Sequence, residues 1–179
     1  MTTVSGDFDL TMDELRGVAR FVAESAEAAL PVFAEEHPED PRPRAALAAA
    51  WEFVEGAPRT RLQRVTSLDA HRAAKQAGTE AARLAARAAG DAAASAYLHP
   101  IARATQVGHI LRAAASAARI TELRAGDDPE AGLRAITEAR ARATPVLVDV
   151  LRRYPPAPTG RSRVAALMSL LDADLRRMP

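Results

Sequence analysis

Between Ala81 and Ala96 the chain carries ten alanines in sixteen residues, with Arg83, Arg87 and Asp91 as its only charges. Alanine is the best helix former and adds only a methyl group to a packing face, so this stretch dictates a helix whose buried side is built from small residues. Its neighbours must approach closely, and each contact buries little area. Alanine fills 43 of the 179 positions and leucine 17, while aromatics make up 4%; β-favouring residues are scarce and an all-β fold is excluded. The length suits one unit. The expectation is an all-α fold, a single-domain bundle of about seven helices over residues 1–179, with a flexible N-terminus at 1–10 and a proline-rich loop at 155–160 before the last helix.

Start and stop signals order these helices. Thr11-Met12-Asp13-Glu14 is a capping box, in which the threonine hydroxyl takes a free N–H of the first turn and the glutamate reaches back. The first helix runs from there to about Glu36, with Pro31 in its last turns. Asp40 as cap and Pro41 at the first helical position start a second, which Gly56-Ala57-Pro58 stops. A third spans roughly Thr60 to Ala77, with Leu62, Val65, Leu68 and Arg72 at helical spacing before Gly78. Thr79 caps the alanine-rich fourth. Pro100 opens a fifth helix that ends at Gly126, and Asp128-Pro129 starts a sixth. The β-branched stretch Thr144–Leu151 has no second strand to pair with and reads as the buried C-terminal half of that helix. Val164, Leu167, Leu171 and Leu175 form one face of the last.

Charge is unevenly spread. Residues 1–58 have 4 basic and 12 acidic side chains, 59–112 have 9 and 3, and 113–179 have 11 and 8. Two readings fit this asymmetry: solvated helix faces, or an acidic first third that packs on, or displays charge beside, a basic middle third. Asp7 and Asp9 stand where a signal peptide would be positive, and no apolar stretch nears the ~20 residues of a membrane span. A soluble, cytoplasmic protein with no membrane partner is expected. The 23 arginines against one lysine, Lys75, fit a high-GC bacterium.

The common catalytic motifs fail one by one. Cysteine is absent, which removes disulfides, thiol catalysis and thiolate metal sites. Lys75 is not in a phosphate-binding loop, and no Gly-x-Gly-x-x-Gly occurs. The residues three before His37, His71, His99 and His109 are Ala34, Leu68, Ala96 and Gln106, so the Glu-x-x-His pairs of a di-iron helix bundle are missing. No cofactor and no metal are expected.

Two polar constellations stand out. His99, Arg103, Gln106 and His109 are spaced to share one stripe on the fifth helix. The two histidines lie about 15 Å apart along its axis, too far to ligate one ion, and are read as hydrogen-bonded groups holding neighbouring helices. Around the second helix start, Arg42 and Arg44 oppose the helix dipole, and Glu35, Glu36, Glu39 and Asp40 stand ready to pair with them; the same residues, with His71 and the stripe on the fifth helix, are read as a structural polar network or a partner-binding surface. Arg44, one position deeper than Pro43, is expected to contribute more to stability than Arg42. The dispersed arginines lack interleaved aromatics, which disfavours nucleic acid as a partner.

The segments Leu30-Pro31-Val32-Phe33-Ala34-Glu35, Pro38-Glu39-Asp40-Pro41-Arg42-Pro43-Arg44-Ala45, Ala70-His71-Arg72-Ala73-Ala74 and Ala85-Ala86-Arg87-Ala88-Ala89-Gly90 resemble the immunity proteins of bacterial polymorphic-toxin systems. The stretches His99–His109 and Asp149–Pro155 are similar to an actinobacterial branch that often carries an SbcC-type exonuclease label. That activity needs a Walker A loop, a long coiled coil and a Cys-x-x-Cys hook. The chain has none of them, so the exonuclease is rejected. Relatives often have histidine after Ala89-Gly90, where this chain has Asp91 and Tyr97. The resemblance implies a non-catalytic helical protein that neutralises a cognate protein toxin by steric occlusion, with the acidic first third suited to a basic nuclease toxin. Two alternatives stay open: a homo-oligomeric scaffold, and an enzyme using His71, His99 and His109 with a carboxylate.

Overall fold

The computed structural model describes residues 2–179. Within them, a short hairpin of β1 (Thr3–Ser5) and β2 (Asp9–Thr11) precedes α1 (Met12–Glu36), α2 (Arg42–Val54), α3 (Arg61–Gln76) and α4 (Glu80–Ser95). A 3-10 turn (Ala104–Gln106) leads into α5 (Val107–Arg124), then α6 (Pro129–Ala141), α7 (Pro145–Arg152) and α8 (Arg163–Arg176). The fold is all-α apart from the hairpin. The alanine-rich stretch is its axis: α4 packs on α1, α2, α3 and α5, burying Ala82, Ala85, Ala86, Ala88, Ala89, Ala92, Ala93 and Ala96. Larger side chains, among them Leu15, Phe53, Leu111, Leu147, Leu151, Leu167, Leu171 and Leu175, fill the space between α1, α2, α5, α7 and α8.

The capping box forms as read: Glu14 N–H donates to Thr11 Oγ1 at 3.1 Å, and Thr11 N–H to Glu14 Oε2 at 2.8 Å. Gly126 ends α5 with φ +76°, a conformation that glycine takes without strain. The second helix starts one residue later than expected. Pro41 precedes its first turn, and the Asp40 carboxylate accepts the Arg42 N–H at 3.1 Å.

Two expectations are corrected, and the segment expected to be a flexible N-terminus carries regular structure. In the described part, Thr3, Val4 and Ser5 pair antiparallel with Thr11, Leu10 and Asp9, and Leu10 is fully buried. The fifth helix begins at Val107 instead of Pro100, because the hairpin engages the backbone before it: Asp7 N–H donates to Pro100 O at 2.8 Å and the Asp7 carboxylate accepts Ala102 N–H at 2.7 Å. Helix α7 is separate from α6. Thr144 before Pro145 is held extended, which breaks the sixth helix, and its hydroxyl caps the new one by accepting Leu147 N–H at 3.2 Å.

Candidate functional site

Helix α3 inverts the usual burial of an amphipathic helix. Thr60 caps it, and the buried Gln63 donates from Nε2 to Ala49 O at 3.1 Å. Its other inward residues are Ser67, Ala70, Ala73 and Ala74. The facing helix α4 is alanine, and two helices that meet through alanines have no room for branched side chains between them. Leu62, Val65 and Leu68 therefore point outward, with exposures of 43%, 40% and 58%. Their three-residue spacing places them on one face. Together they make a small aliphatic stripe on the surface of α3; Leu133, Val146 and Leu170 are similarly exposed elsewhere.

Beside this stripe lies a groove of about 370 Å³ between α3 and the start of α5, lined by Arg64, Leu68, Tyr97, His99, Gln106 and His109 among others. Arg64 and Arg59 stack on the Tyr97 ring, their guanidinium carbons 4.2 and 5.2 Å from its centroid. Further along α4 a depression of about 290 Å³ is lined by His71, Ala74, Lys75, Arg83 and Arg87.

Between α4 and α5 sits a buried carboxylate. Asp91, 1% exposed, accepts Nη2 and Nε of Arg112 at 2.6 and 2.8 Å, and His71 Nε2 stands 3.8 Å from it. Gly90 makes room for the imidazole: a Cβ there would stand 2.9 Å from Cε1 and Nε2 of His71. Burial pulls the His71 pKa below the ordinary histidine value, Asp91 opposing and Arg112 reinforcing it. Burial, aided by Arg112, likewise lowers that of His109. The Nδ1 of His109 is buried without a hydrogen-bond partner among the described residues. Arg112 occupies both oxygens of Asp91, so this carboxylate serves as a structural anchor and not as a free base. No group of three or more His, Cys, Asp or Glu among the described residues is placed to hold a metal ion.

The residues singled out from the sequence separate. Arg42 pairs with Asp40, from Nε to Oδ1 at 2.9 Å and from Nη2 to Oδ2 at 2.6 Å, and donates to Gln76 Oε1 at 2.7 Å. This bond holds the Asp40 carboxyl below its usual range. Glu35 pairs instead with Arg124 at 3.0 Å, and Glu36 accepts the Thr79 hydroxyl. Arg44 is exposed and has no polar partner among the described residues. His99 and Arg103 lie before α5 and share no helical stripe with His109. The His99 N–H donates to Gln106 Oε1 at 3.3 Å, and its carbonyl accepts Tyr154 Oη at 2.9 Å. His99, Gln106 and His109 still meet, as walls of the groove, while Arg103 stays exposed outside it.

The sequence reading missed the Asp91–Arg112 pair and the outward turn of the α3 stripe. A lone acid among alanines, next to Gly90, was the available signal for the first.

The family model described as Imm-5 like putative immunity protein matches residues 9–143, which include the whole of α3, α4 and α5. Neither the search of curated proteins nor that of solved structures returns a match.

Proposed function

The chain belongs to the Imm-5 like putative immunity protein family, and from that premise we propose that it neutralises a cognate toxin in the cytosol by binding and covering it, without catalysis. The observation that carries this reading is the outward stripe Leu62, Val65 and Leu68 on α3, an apolar face that the fold itself leaves uncovered. It supports a contact surface on the basic middle third. In the acidic first third, Glu14, Glu24 and Glu35 pair with Arg153, Arg142 and Arg124 of the last third, which ties three of its twelve acids to the fold.

Self-association through the same stripe is disfavoured, since a second copy would bring the arginines beside it face to face. The test is co-expression with each candidate toxin encoded beside this gene. Cells survive and a stoichiometric complex is recovered with the natural chain, and both are lost with a Leu62→Ser/Leu68→Ser variant of unchanged melting temperature. A folded natural chain that leaves the toxin active overturns the proposal. Light scattering that shows mass growing with concentration would give the stripe to a second copy.

A further inference from the structure

We infer that the groove along α4, between α3 and α5, takes an acidic and partly aliphatic polypeptide segment of the partner. This rests on the reading of α3 as the contact face and adds the chemistry of what lies against it. Residues 59–112 hold nine basic and three acidic side chains. All three acids are already paired: Asp69 with Arg72, Glu80 with Arg119, and Asp91 with Arg112. Arg59, Arg61, Arg64, Lys75, Arg83, Arg87 and Arg103 have no carboxylate partner among the described residues.

These cations are not scattered at random around the stripe. Arg64 and Leu68 line the larger opening together, so an apolar and a cationic contact stand in one wall. Lys75, Arg83 and Arg87 line the next opening along α4. Arg83 and Arg87 are one helical turn apart and also border a third hollow, of about 310 Å³, formed with Arg112 of α5, Met168 of α8 and Glu80, the last already paired with Arg119. A segment lying along α4 would set aliphatic side chains on Leu68 and its neighbours and carboxylates at Arg64, Lys75, Arg83 and Arg87. Opposite potentials across an interface raise the association rate and select the partner, so a surface with this excess of unpaired cations favours an acidic one.

A nucleic acid shares the negative charge but not the rest. Its bases seek aromatic platforms, and here the exposed stripe is aliphatic while the Tyr97 ring is covered by Arg59 and Arg64.

The experiment uses the full chain and a synthetic amphipathic helix of leucine and glutamate, about 18 residues long, followed by amide NMR shifts and by anisotropy. The same peptide with lysine for glutamate and an oligothymidylate of similar length serve as comparisons. The leucine–glutamate peptide should shift amides of α3 and of Arg83–Arg87. Its affinity should fall about tenfold between low and physiological salt, and by at least about as much in an Arg83→Glu/Arg87→Glu variant that melts as the natural chain does. Equal binding of the lysine peptide at the same amides overturns the acidic partner while leaving the α3 face in place. Preference for oligothymidylate assigns the groove to nucleic acid and overturns the inference. No shift on α3 from either peptide overturns it, and the co-expression test then decides the reading on which it rests separately.

Discussion

Arg112 holds both oxygens of Asp91 across the seam between α4 and α5, at 2.6 Å through Nη2 and 2.8 Å through Nε. The carboxylate is 1% exposed, and its removal leaves a guanidinium without its partner at a packed helix seam. Breaking a buried pair on one side costs about 3–5 kcal/mol. Asp91→Ala should therefore lower the free energy of unfolding by roughly 3 kcal/mol in urea melts, whereas a loss below about 1 kcal/mol is what an exposed pair would give.

Glu122 occupies the space beside Gly132. It is 1% exposed, and it accepts Nη2 of Arg163 at 2.6 Å and Nη1 of Arg119 at 3.0 Å. A Cβ on Gly132 would come within 2.5 Å of Glu122 Cγ and Cδ. Gly132→Ala should lose about 1–3 kcal/mol by overpacking, since the two arginines keep the carboxylate from swinging away. Gly108→Ala meets only the end of the Arg112 side chain at 3.4 Å, and should be neutral or gain up to about 1 kcal/mol. Denaturant midpoints of the two variants should move in opposite directions, or only the first should move.

At the start of α2 the balance between the two arginines is the reverse of the sequence expectation. Arg42 bridges Asp40 and Gln76, whereas Arg44 has no polar partner among the described residues. Arg42→Ala should cost about 1 kcal/mol, the upper range for a partly exposed pair, and Arg44→Ala should stay within about 0.5 kcal/mol of the natural chain. Equal losses for both in thermal melts would contradict the pairing.

His71 and His109 set a mild dependence on acid. Burial lowers both pKa values, so below the ordinary histidine value of about 6.5 the unfolded chain binds protons that the folded chain does not. The sign is fixed: their contribution is complete above pH 6.5 and declines as pH falls below it. Glu14, Asp40 and Glu122, whose pKa values are lowered in the fold, keep their contributions until the pH drops below about 4. The melting temperature should fall between pH 7.5 and 5.5, and less steeply in His109→Gln.

Local signals were legible because they act within one turn of chain: the Thr11–Glu14 box, Gly126 after α5, and Asp128-Pro129 before α6 all sit where the sequence places them. What could not be read was long-range. Asp7 reaches across 95 residues to the Ala102 N–H, and nothing near either position announces it. The Leu62–Leu68 periodicity gives a helix correctly, but which face is buried depends on the alanines of α4 that it meets. Glu35 faces Arg124 and not the nearer Arg42 or Arg44, because the end of α1 lies against α5. The groove shared by His99, Gln106 and His109 arises from the non-helical stretch 98–103 that leads into the 3-10 turn, not from the helical spacing that first associated them.

The most direct test of the proposed contact face is hydrogen–deuterium exchange on the complex with a partner toxin recovered by co-expression. The expected result is new protection of the α3 amides, residues 61–76, and of the stretch around Arg83 and Arg87, with α1 and α2 unchanged. Protection confined to residues 12–58, with α3 exchanging as in the free chain, would contradict it and return the toxin to the acidic first third.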